Sequence, residues 1–450
     1  MPDTSPSIRG ALGMRSNGVF VPKRTKVLLA PRNISNQAIA YKQALSGTQY
    51  EAEVWSFGEP AFGFTSDRVF DEERLVFDLQ YRTEMFSEAV RRFDIFHFQF
   101  SRSLLPVREE LPMLWDLPLL QSCGKRVLMH FRGTDVRRRQ AHIKREPHSY
   151  FLDGGRSVDE RVIDDRVAIC RMWCDRLLVS TPGLLDDVPD GEWIPHVVHP
   201  AEWSADRSIE PVVPIVLHAP SSGVTKGSSR VDEVCSLLER ERLITYRRVS
   251  GLSRDELRAE MRRADIIIDS LGIGDHGAIS VEGMAAGCIC LGHIAPQNRE
   301  RNPGVPVVEV DPVSLESVLR ELAQDPRRRA ALRREGIEWV EQRHAPDVVG
   351  RRLMDVYEAP KRPQLAAGRA RGYPGWATAV TDRSGGLEAD VARLEELLRQ
   401  ERPGSFRARR VRSVAASWYF RGRRRAVRAF GPERTRRLQT LMSKGTARLR

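Results

Sequence analysis

The chain has 450 residues, of which 41% are hydrophobic and 29% are charged, with 33 glycines and 27 prolines. This composition is typical of a soluble globular protein and excludes collagen-like, disulfide-scaffold and wholly disordered chains. At about 150 residues per domain, the length predicts two or three domains.

The net charge of +12 is distributed very unevenly along the chain. Residues 403–450 contain 15 lysines and arginines but a single acidic residue, Glu433, which makes their net charge +14. The remaining 402 residues hold 57 basic and 59 acidic groups and are therefore close to neutral. The basic character of the chain thus belongs to its last segment and indicates nothing about the folded body.

Several features point to a cytoplasmic protein. No window approaches the roughly 18 uncharged apolar residues that a membrane-spanning helix needs. The first 25 residues contain prolines, glycines and arginines without an apolar core, so no secretory signal is expected. Six cysteines without paired spacing are typical of a reducing compartment.

Short apolar runs alternate with segments of helical periodicity in the first part of the chain. Near-continuous apolar runs predict four buried strands. They lie at residues 26–30, 93–98, 126–131 and 176–180. Between them, apolar residues recur about every 3.6 positions, which predicts helices. These helical segments are residues 36–45, 114–122 and 158–173.

Prolines interrupt the pattern near residue 200, and it then resumes. Further apolar runs predict five more strands, at residues 213–218, 244–249, 264–269, 288–292 and 305–310. Helical periodicity follows at residues 313–323, 327–343 and 347–357. Alternating strands and helices predict an α/β fold with parallel sheets covered on both faces. Domain size favours two doubly wound, Rossmann-like domains over a single large sheet.

These breaks divide the chain into segments. The first predicted domain covers residues 26–200 and the second covers residues 201–346. An N-terminal extension at residues 1–25 precedes them. After the folded body we predict a linker at 359–386, a short amphipathic helix at 387–402 and a basic C-terminal extension, the tail, at 403–450.

Ligands of open α/β sheets bind outside the carboxyl ends of the strands, and polar residues are concentrated there. In the second domain, two glycine-containing loops, within residues 218–227 and 269–277, each precede a predicted helix. Their backbone N–H groups can therefore face an anion. Lys226, in the first of these loops, supplies the positive charge that a diphosphate requires.

The two loops resemble the donor-site segments of family 4 glycosyltransferases, which have the GT-B fold. Residues 218–227 (HAPSSGVTKG) are similar to the first segment, and the match is to its lysine-glycine type. Residues 274–287 (GDHGAISVEGMAAG) are similar to the second, in which a glycine loop runs into a helix that bears a glutamate. Weaker similarities complete the match, which covers roughly residues 26–358. They lie at residues 94–98, 130–135, 193–195 and 339–357.

The resemblance implies a cytoplasmic enzyme that moves a sugar from a nucleotide sugar to an acceptor. It implies retention of configuration and neither a metal nor another cofactor. Two Rossmann-like domains would face a cleft, with the acceptor bound by the first domain and the donor by the second. The final helix, residues 347–358, would return to the first domain.

The resemblance also implies roles for individual residues. Lys226 would neutralise the diphosphate, and Glu282 would accept hydrogen bonds from the ribose hydroxyls. The candidates for contact with the donor sugar near its anomeric carbon are His130 and Asp135. The donor-binding candidates are Lys226, Gly227, Asp269, Gly274, Asp275, His276, Gly277, Ala278, Ile279 and Glu282. The candidates for the acceptor or diphosphate loop are Arg32, Asn33, Ser35 and His97.

Two positions depart from the family pattern. Gly274 stands where the common pattern has the first of two glutamates, and Ser221 stands where the family often has an arginine. Such a site would hold the diphosphate with Lys226 and backbone N–H groups, or it would recruit Arg230. The missing first glutamate and the basic tail support a second hypothesis, a catalytically silent GT-B scaffold that binds polyanions through its tail. A sugar-nucleotide epimerase on the same fold is a third.

The tail interleaves arginines with Phe406, Trp418, Tyr419 and Phe420. Aromatic and basic side chains together suit the headgroup layer of an anionic membrane, so we predict peripheral membrane association. A solvated polycation and a nucleic-acid-binding segment are the alternatives. The sequence leaves open whether the acceptor is a glycan, a lipid-linked molecule or a small molecule, and it leaves the oligomeric state open.

No metal site is predicted. Four histidines precede or lie within the loops at the strand ends, but they fall on separate segments of two domains and lack the spacing of metal ligands. They are His97, His130, His218 and His276.

Overall fold

The computed structural model describes residues 24–106, 113–205, 210–220 and 222–361. Apart from residues 24 and 25, the predicted N-terminal extension lies outside the described residues. The linker beyond residue 361, the predicted helix at 387–402, the tail at 403–450 and Ser221 also lie outside them.

Within the described residues, seven parallel strands form the first sheet. They are β1 (Thr25–Ala30), β2 (Tyr50–Phe57), β3 (Arg68–Phe70), β4 (Ile95–Gln99), β5 (Arg126–Phe131), β6 (Arg176–Val179) and β7 (Glu192–Trp193). Their spatial order is β3-β2-β1-β4-β5-β6-β7. The direction of winding reverses between β1 and β4, and such a reversal opens a crevice at the carboxyl ends of the strands.

The second sheet has five parallel strands within the described residues. They are β8 (Ile215–His218), β9 (Thr245–Arg248), β10 (Ile266–Ile268), β11 (Ile289–Gly292) and β12 (Val308–Glu309). Their order is β12-β11-β10-β8-β9, so the winding reverses between β8 and β10. The two glycine-containing loops follow these two strands, and both therefore border the second crevice.

Helices connect the strands. Those of the first half are α1 (Gln37–Ala44), α2 (Glu72–Phe77), α3 (Leu79–Arg92), α4 (Leu117–Ser122), α5 (Arg139–Arg145) and α6 (Glu160–Trp173). Those of the second half begin with α7 (Pro200–Trp203), α8 (Gly223–Lys226), α9 (Ser228–Arg240), α10 (Arg254–Arg263) and α11 (Ala278–Ala285). They continue with α12 (Pro296–Arg301), α13 (Leu315–Gln324), α14 (Pro326–His344) and α15 (Pro346–Glu358).

Capping residues define where several helices begin. Ser253 and Glu256 form a reciprocal capping box at the start of α10. Asp78 accepts a hydrogen bond from the Tyr81 N–H at 3.1 Å and caps α3 with its side chain alone. Asp325 caps α14. Pro326 occupies the first position of this helix, where a backbone N–H would have no partner within the helix, so its absence has no cost.

The last helix packs against the first sheet. Val349 and Leu353 of α15 belong to the buried cluster that includes Val27 of β1 and Leu128 of β5. Gly350 allows this contact, because a Cβ atom there would lie 2.5 Å from the Ala44 carbonyl oxygen of α1. The chain thus returns to the first half after completing the second.

Two apolar clusters cover the two faces of the second sheet. One contains Leu217 and Ile267 together with side chains of α11 and α14, and the other contains Val216 and Ile268 together with side chains of α9 and α13. Adjacent strand residues thus point to opposite faces, as expected for a sheet buried on both sides. The predicted α/β architecture with two doubly wound, Rossmann-like units is confirmed.

The structure contains elements that the sequence analysis does not assign. They include β2, β3, α2 and α3. The residues of β2 (YEAEVWSF) begin with polar and apolar side chains in alternation, so they differ from the continuous apolar runs that identify the other strands. No helix of the described part has the length and apolarity needed to cross a membrane.

Candidate functional site

An ion pair between Lys226 and Asp269 lies at the reversal point of the second sheet. Lys226 ends α8, and Asp269 directly follows β10. The Asp269 carboxylate also accepts hydrogen bonds from the Gly277 N–H at 3.1 Å and from the Ser280 hydroxyl. Burial opposes ionisation of Asp269, but the Lys226 ammonium and these hydrogen bonds hold its pKa below the usual range.

The first turn of α11 faces this pair. Gly277 precedes α11, and a Cβ atom there would lie 3.3 Å from Asp269 and 3.8 Å from the Lys226 ammonium. Glycine therefore leaves the space beside the ammonium open. Ala278 and Ile279 begin α11, whose N-terminus carries no side-chain cap. Uncapped N–H groups beside a fixed ammonium favour an anion at this position.

Lys226 and Glu282 are both largely buried. Their side chains are 12% and 8% exposed, respectively. Arg254 is the cation paired with Glu282, at 3.9 Å, and its guanidinium lies over the ring of Trp203. Burial raises the pKa of Glu282 to about 7, and Arg254 opposes this rise.

The loop before α11 contacts the first half closely. The Tyr150 N–H donates to the Gly272 carbonyl at 3.2 Å, and His142 Nε2 lies 3.0 Å from the Ile273 carbonyl oxygen. The Gly183 N–H donates to Asp275 at 2.6 Å. These bonds hold the loop against the 142–150 and 182–186 segments of the first half.

Asp275 and His276 are buried at this contact. His276 Nδ1 lies 3.0 Å from the Asp275 carboxylate, and its ring lies edge-on to Trp193, Trp339 and His344. Their side chains thus form part of the contact between the halves, whereas Gly274 and Gly277 contribute backbone to the loop.

A cleft of about 500 Å³ lies beside the loop. Ser149 and Tyr150 line it from the first half, and Gly227, Ser228 and Arg230 line it from the second. Gly227 has a φ of +70° and precedes α9, whose N-terminus also carries no side-chain cap. The cleft therefore combines a helix N-terminus with a cationic side chain.

The polar loop after β1 is fixed by its own contacts. Arg32 forms an ion pair with Glu72 at 2.6 Å and donates to the Phe57 carbonyl. Asn33 donates to Asn36 and to the Thr65 carbonyl. Ser35 has a φ of +51° and forms part of the tight turn into α1.

His97 and His130 lie side by side in the first sheet. His97 Nε2 is 3.1 Å from His130 Nδ1, and His97 Nδ1 is 2.8 Å from the Tyr357 hydroxyl of α15. Both rings stack on Tyr41. Burial, reinforced by the charge of Arg132, lowers the pKa of His97 to about 3 and also lowers that of His130. Both rings are therefore neutral at physiological pH.

Asp135 shapes the loop after β5. Its carboxylate accepts hydrogen bonds from the N–H groups of Arg132 and Gly133 and from the Ser101 hydroxyl. Burial raises the pKa of Asp135, and these hydrogen bonds oppose the rise.

The donor-site candidates and the first-sheet histidines thus form separate groups. The structure brings Lys226, Asp269 and Gly277 together, whereas His97 and His130 lie in the other sheet. The Glu146 carboxylate lies 2.5 Å from the position that a Cβ atom on Gly274 would take. The sequence analysis assigned no role to Glu146, Arg254 or Arg132. For Glu146 and Arg254 no motif was present in the sequence, because their partners come from distant segments. For Arg132, its position just after a strand was the available signal.

The described residues include no group of three or more histidine, cysteine, aspartate or glutamate side chains that could hold a metal ion. His218, which precedes the first glycine-containing loop, bonds to the Ile268 carbonyl and to the Ser228 hydroxyl instead.

No protein-family model matches the chain, and no curated protein matches it either. Among solved structures, the sucrose-phosphate synthase of Thermosynechococcus elongatus is similar, with a TM-score of 0.50 and 13% identity. That match covers 74% of this chain and 98% of the other. Anabaena Alr3699/HepE in complex with UDP and glucose is similar, with a TM-score of 0.50 and 8% identity, over 75% of this chain and 100% of the other. At these identities the likeness is one of fold, and the chain has the GT-B architecture.

Proposed function

We propose that this protein is a glycosyltransferase that moves a sugar from a nucleotide-sugar donor to an acceptor. The observation that carries the proposal is the ammonium of Lys226, held by Asp269 beside the uncapped N-terminus of α11. A nucleotide sugar offers a diphosphate, which suits both the point charge and the free N–H groups.

In this proposal the second half binds the donor. Lys226 and the backbone of residues 274–279 hold the diphosphate, and Asp269 positions Lys226 without contacting the donor. Glu282 accepts hydrogen bonds from the ribose hydroxyls, and its ionised form is the stronger acceptor. The solved complex of Alr3699/HepE with UDP and glucose supports a nucleotide sugar as the donor class, since the two proteins share a fold.

The chemistry we propose is transfer with retention of configuration, without a metal ion. As the bond between the anomeric carbon and the diphosphate breaks, negative charge develops on the departing phosphate. Fixed donors aimed at that charge lower the barrier more than donors that must reorganise. His130 and the loop organised by Asp135 lie on the acceptor side, and we assign His130 the contact with the donor sugar. Membership of family 4 is part of the proposal.

The proposal is tested by incubating the full-length protein with a panel of sugar nucleotides and a cell extract as a source of acceptors. The readouts are nucleotide release and a glycosylated product that depends on the donor. Turnover that persists in the presence of a chelator supports transfer without a metal. Absence of turnover with every donor, together with tight binding of a polyanion, would favour the catalytically silent scaffold instead.

The control is a lysine outside the site that also pairs with an aspartate but is more exposed. Lys42 forms an ion pair with Asp67 on the first half. Lys226→Met should abolish most turnover, whereas Lys42→Met should retain it. Equal activity in the two variants would contradict the assignment of Lys226.

A further inference from the structure

The Glu282 carboxylate keeps free acceptor sites although it is nearly buried. Its side chain is 8% exposed, and among the described residues no N–H or O–H group donates to its oxygens. A carboxylate has about four positions that accept hydrogen bonds, and buried polar groups normally use such positions. The Glu282 oxygens are therefore available to hydroxyl groups of a ligand.

Arg254 supplies a positive charge to this carboxylate without a hydrogen bond. Its Nη2 atom lies 3.9 Å from Glu282 Oε1, whereas a charge-assisted hydrogen bond between such groups spans about 2.7–2.9 Å. Arg254 thus favours the ionised form of Glu282 and leaves the lone pairs of its oxygens free. An arginine in bidentate contact would occupy both oxygens.

The Trp203 ring supports Arg254 in this position. The guanidinium lies over that ring at 5.4 Å from its centre, a distance at which a cation is attracted to the face of an indole. Trp203 is fully buried and packs in one cluster with Val281 of α11. Arg262 donates to the Glu202 and Trp203 carbonyls and ties α7 to α10. Arg254 therefore rests on a well-packed support beside α11.

Charged groups on the other elements that pack against α11 have partners of their own. These pairs are Glu202–Arg258, Arg333–Glu210 and Asp269–Lys226. Strand β11 contributes no charge, because burial raises the pKa of its Cys290 thiol and keeps it protonated. Among the described residues, Arg254 is therefore the cation that faces Glu282.

Glu282 lies one helical turn beyond the position proposed for the diphosphate. It follows Ala278, the first residue of α11, by four positions, which corresponds to about 6 Å along the helix axis. In a nucleoside diphosphate, the ribose hydroxyls are the hydroxyl groups that follow the diphosphate in the direction of the base. The free oxygens of Glu282 thus lie at the right end of the site to meet them.

We propose that Arg254 is a positioning residue that keeps Glu282 ionised while leaving its oxygens free to accept hydrogen bonds from both hydroxyls of a ribose. The inference rests on the proposed function, in which Glu282 contacts the ribose of the donor. Arg254 acts through Glu282 and does not itself contact the nucleotide. Such a site selects a ribonucleotide over its 2′-deoxy counterpart, because the missing hydroxyl leaves a nearly buried carboxylate without one of its donors.

The selection is tested with nucleoside diphosphates and the full-length protein. The probes are UDP, GDP and ADP, each beside its 2′-deoxy counterpart, and isothermal titration calorimetry measures the dissociation constants. At pH 8 the nucleotide that binds should do so at least tenfold more tightly than its deoxy counterpart, as expected for a hydrogen bond to a charged group. The preference should decline toward pH 5.5, where Glu282, with a pKa of about 7, is protonated. Both members of a pair carry the same diphosphate, so the titration of the diphosphate cancels from their ratio.

Variants of Arg254 then separate its charge from its packing. Arg254→Gln and Arg254→Met remove the charge, and Arg254→Met keeps an apolar contact with Trp203. In both, the ribose preference at pH 7 should fall at least threefold and return only at higher pH, because Glu282 loses the charge that favours its ionised form. Arg254→Lys should retain the preference, since an ammonium over an aromatic ring supplies the same charge. The control is Arg258→Gln, one turn further along α10, where Arg258 pairs with Asp255 at 2.6 Å.

The outcomes distinguish this inference from the proposed function. An equal ribose preference at pH 7 in Arg254→Met and Arg258→Gln would overturn the role of Arg254, and so would nucleotide binding without any preference for the ribose. A preference that depends on Arg254, in a protein that turns over no sugar nucleotide, would instead refute the proposed function and leave the role of Arg254 standing. A protein that binds none of the three nucleotides would contradict both.

Discussion

The Glu146 carboxylate occupies the space in which a side chain at position 274 would begin. A Cβ atom on Gly274 would lie 2.5 Å from Glu146 Oε1, and Gly274 has a φ of +72°. Glu146 belongs to the first half and bonds to His293 of the second half at 2.9 Å. In the family that the sequence resembles, the common pattern has a glutamate at this position, whereas here a carboxylate reaches Gly274 from the other half.

Gly274→Ala should therefore lower the free energy of unfolding by about 2–4 kcal/mol, since it combines backbone strain with overpacking against Glu146. Gly304→Ala is the matched control, because Gly304 has a φ of +78° but no atom within 4 Å of its Cβ position. In the control, the free energy of unfolding should fall only by the cost of backbone strain, about 1–2 kcal/mol. Urea unfolding of both variants measures the difference, and equal losses would contradict the contact with Glu146.

Removing Lys226 should affect both stability and activity. Lys226→Met leaves the buried Asp269 carboxylate without its counter-ion, and breaking such a pair costs about 3–5 kcal/mol. Adding Asp269→Asn should recover most of the stability, because no buried charge then remains. It should not recover turnover, which needs the ammonium, and we expect turnover to fall by about tenfold to a thousandfold. Unfolding curves and donor kinetics of the single and double variants separate the two effects. Recovery of turnover in the double variant would show that the ammonium is dispensable.

Glu282 should make stability depend on pH. Its pKa in the folded protein is about 7, above the ordinary value of 4.5. The folded state therefore holds a proton that the unfolded state has lost, and stability falls as the pH rises from about 4.5 to about 7. Glu282→Gln lacks this titration. It should match the unchanged protein near pH 4.5 and exceed its stability at pH 8, as measured by thermal unfolding across that range. An identical pH profile for the two proteins would refute the raised pKa.

His293 should make the stability of the protein depend on pH in a higher range, between about 6.5 and 9. The hydrogen bonds that His293 donates to the carboxylates of Glu146 and Glu309 raise its pKa to about 9. The stabilisation is fully present below the ordinary pKa of about 6.5 and is lost as the pH rises through about 9. His293→Gln should reduce the pH dependence of the unfolding temperature between pH 6.5 and pH 9. His148→Gln is the control, since His148 is more exposed and lies 3.9 Å from a single carboxylate, Asp311. A flat profile in the unchanged protein would contradict this assignment.

The tail at residues 403–450 should attach the protein to anionic membranes. Each basic residue near an anionic surface contributes about 1 kcal/mol, and the attachment weakens with salt. Removing residues 403–450 should abolish binding to vesicles that contain phosphatidylserine while leaving donor turnover on a soluble acceptor intact. Vesicle co-sedimentation at low and high salt measures the first effect. Tight binding of single-stranded nucleic acid without vesicle binding at low salt would contradict the membrane prediction.

The sequence by itself determined the architecture and placed the candidate donor-binding residues at strand ends. Continuous apolar runs such as those of β1 and β5 identify strands buried on both faces, because few other structures bury every residue of a short run. Lys226, Asp269 and Gly277 stand out for a similar local reason: each lies where a predicted strand ends and a helix begins. By contrast, β2 was missed because its alternating residues lack the continuous apolar signal.

The tertiary structure decided which of these residues meet and what each side chain faces. Asp269 could be placed at a strand end from the sequence, but its ion pair with Lys226 joins residues 43 positions apart. Glu146 reaches Gly274 because of how the two halves and the loops between them pack. Burial, pKa and the pairing of charges depend on distances between segments that are remote along the chain. Local residue patterns carry no information about those distances.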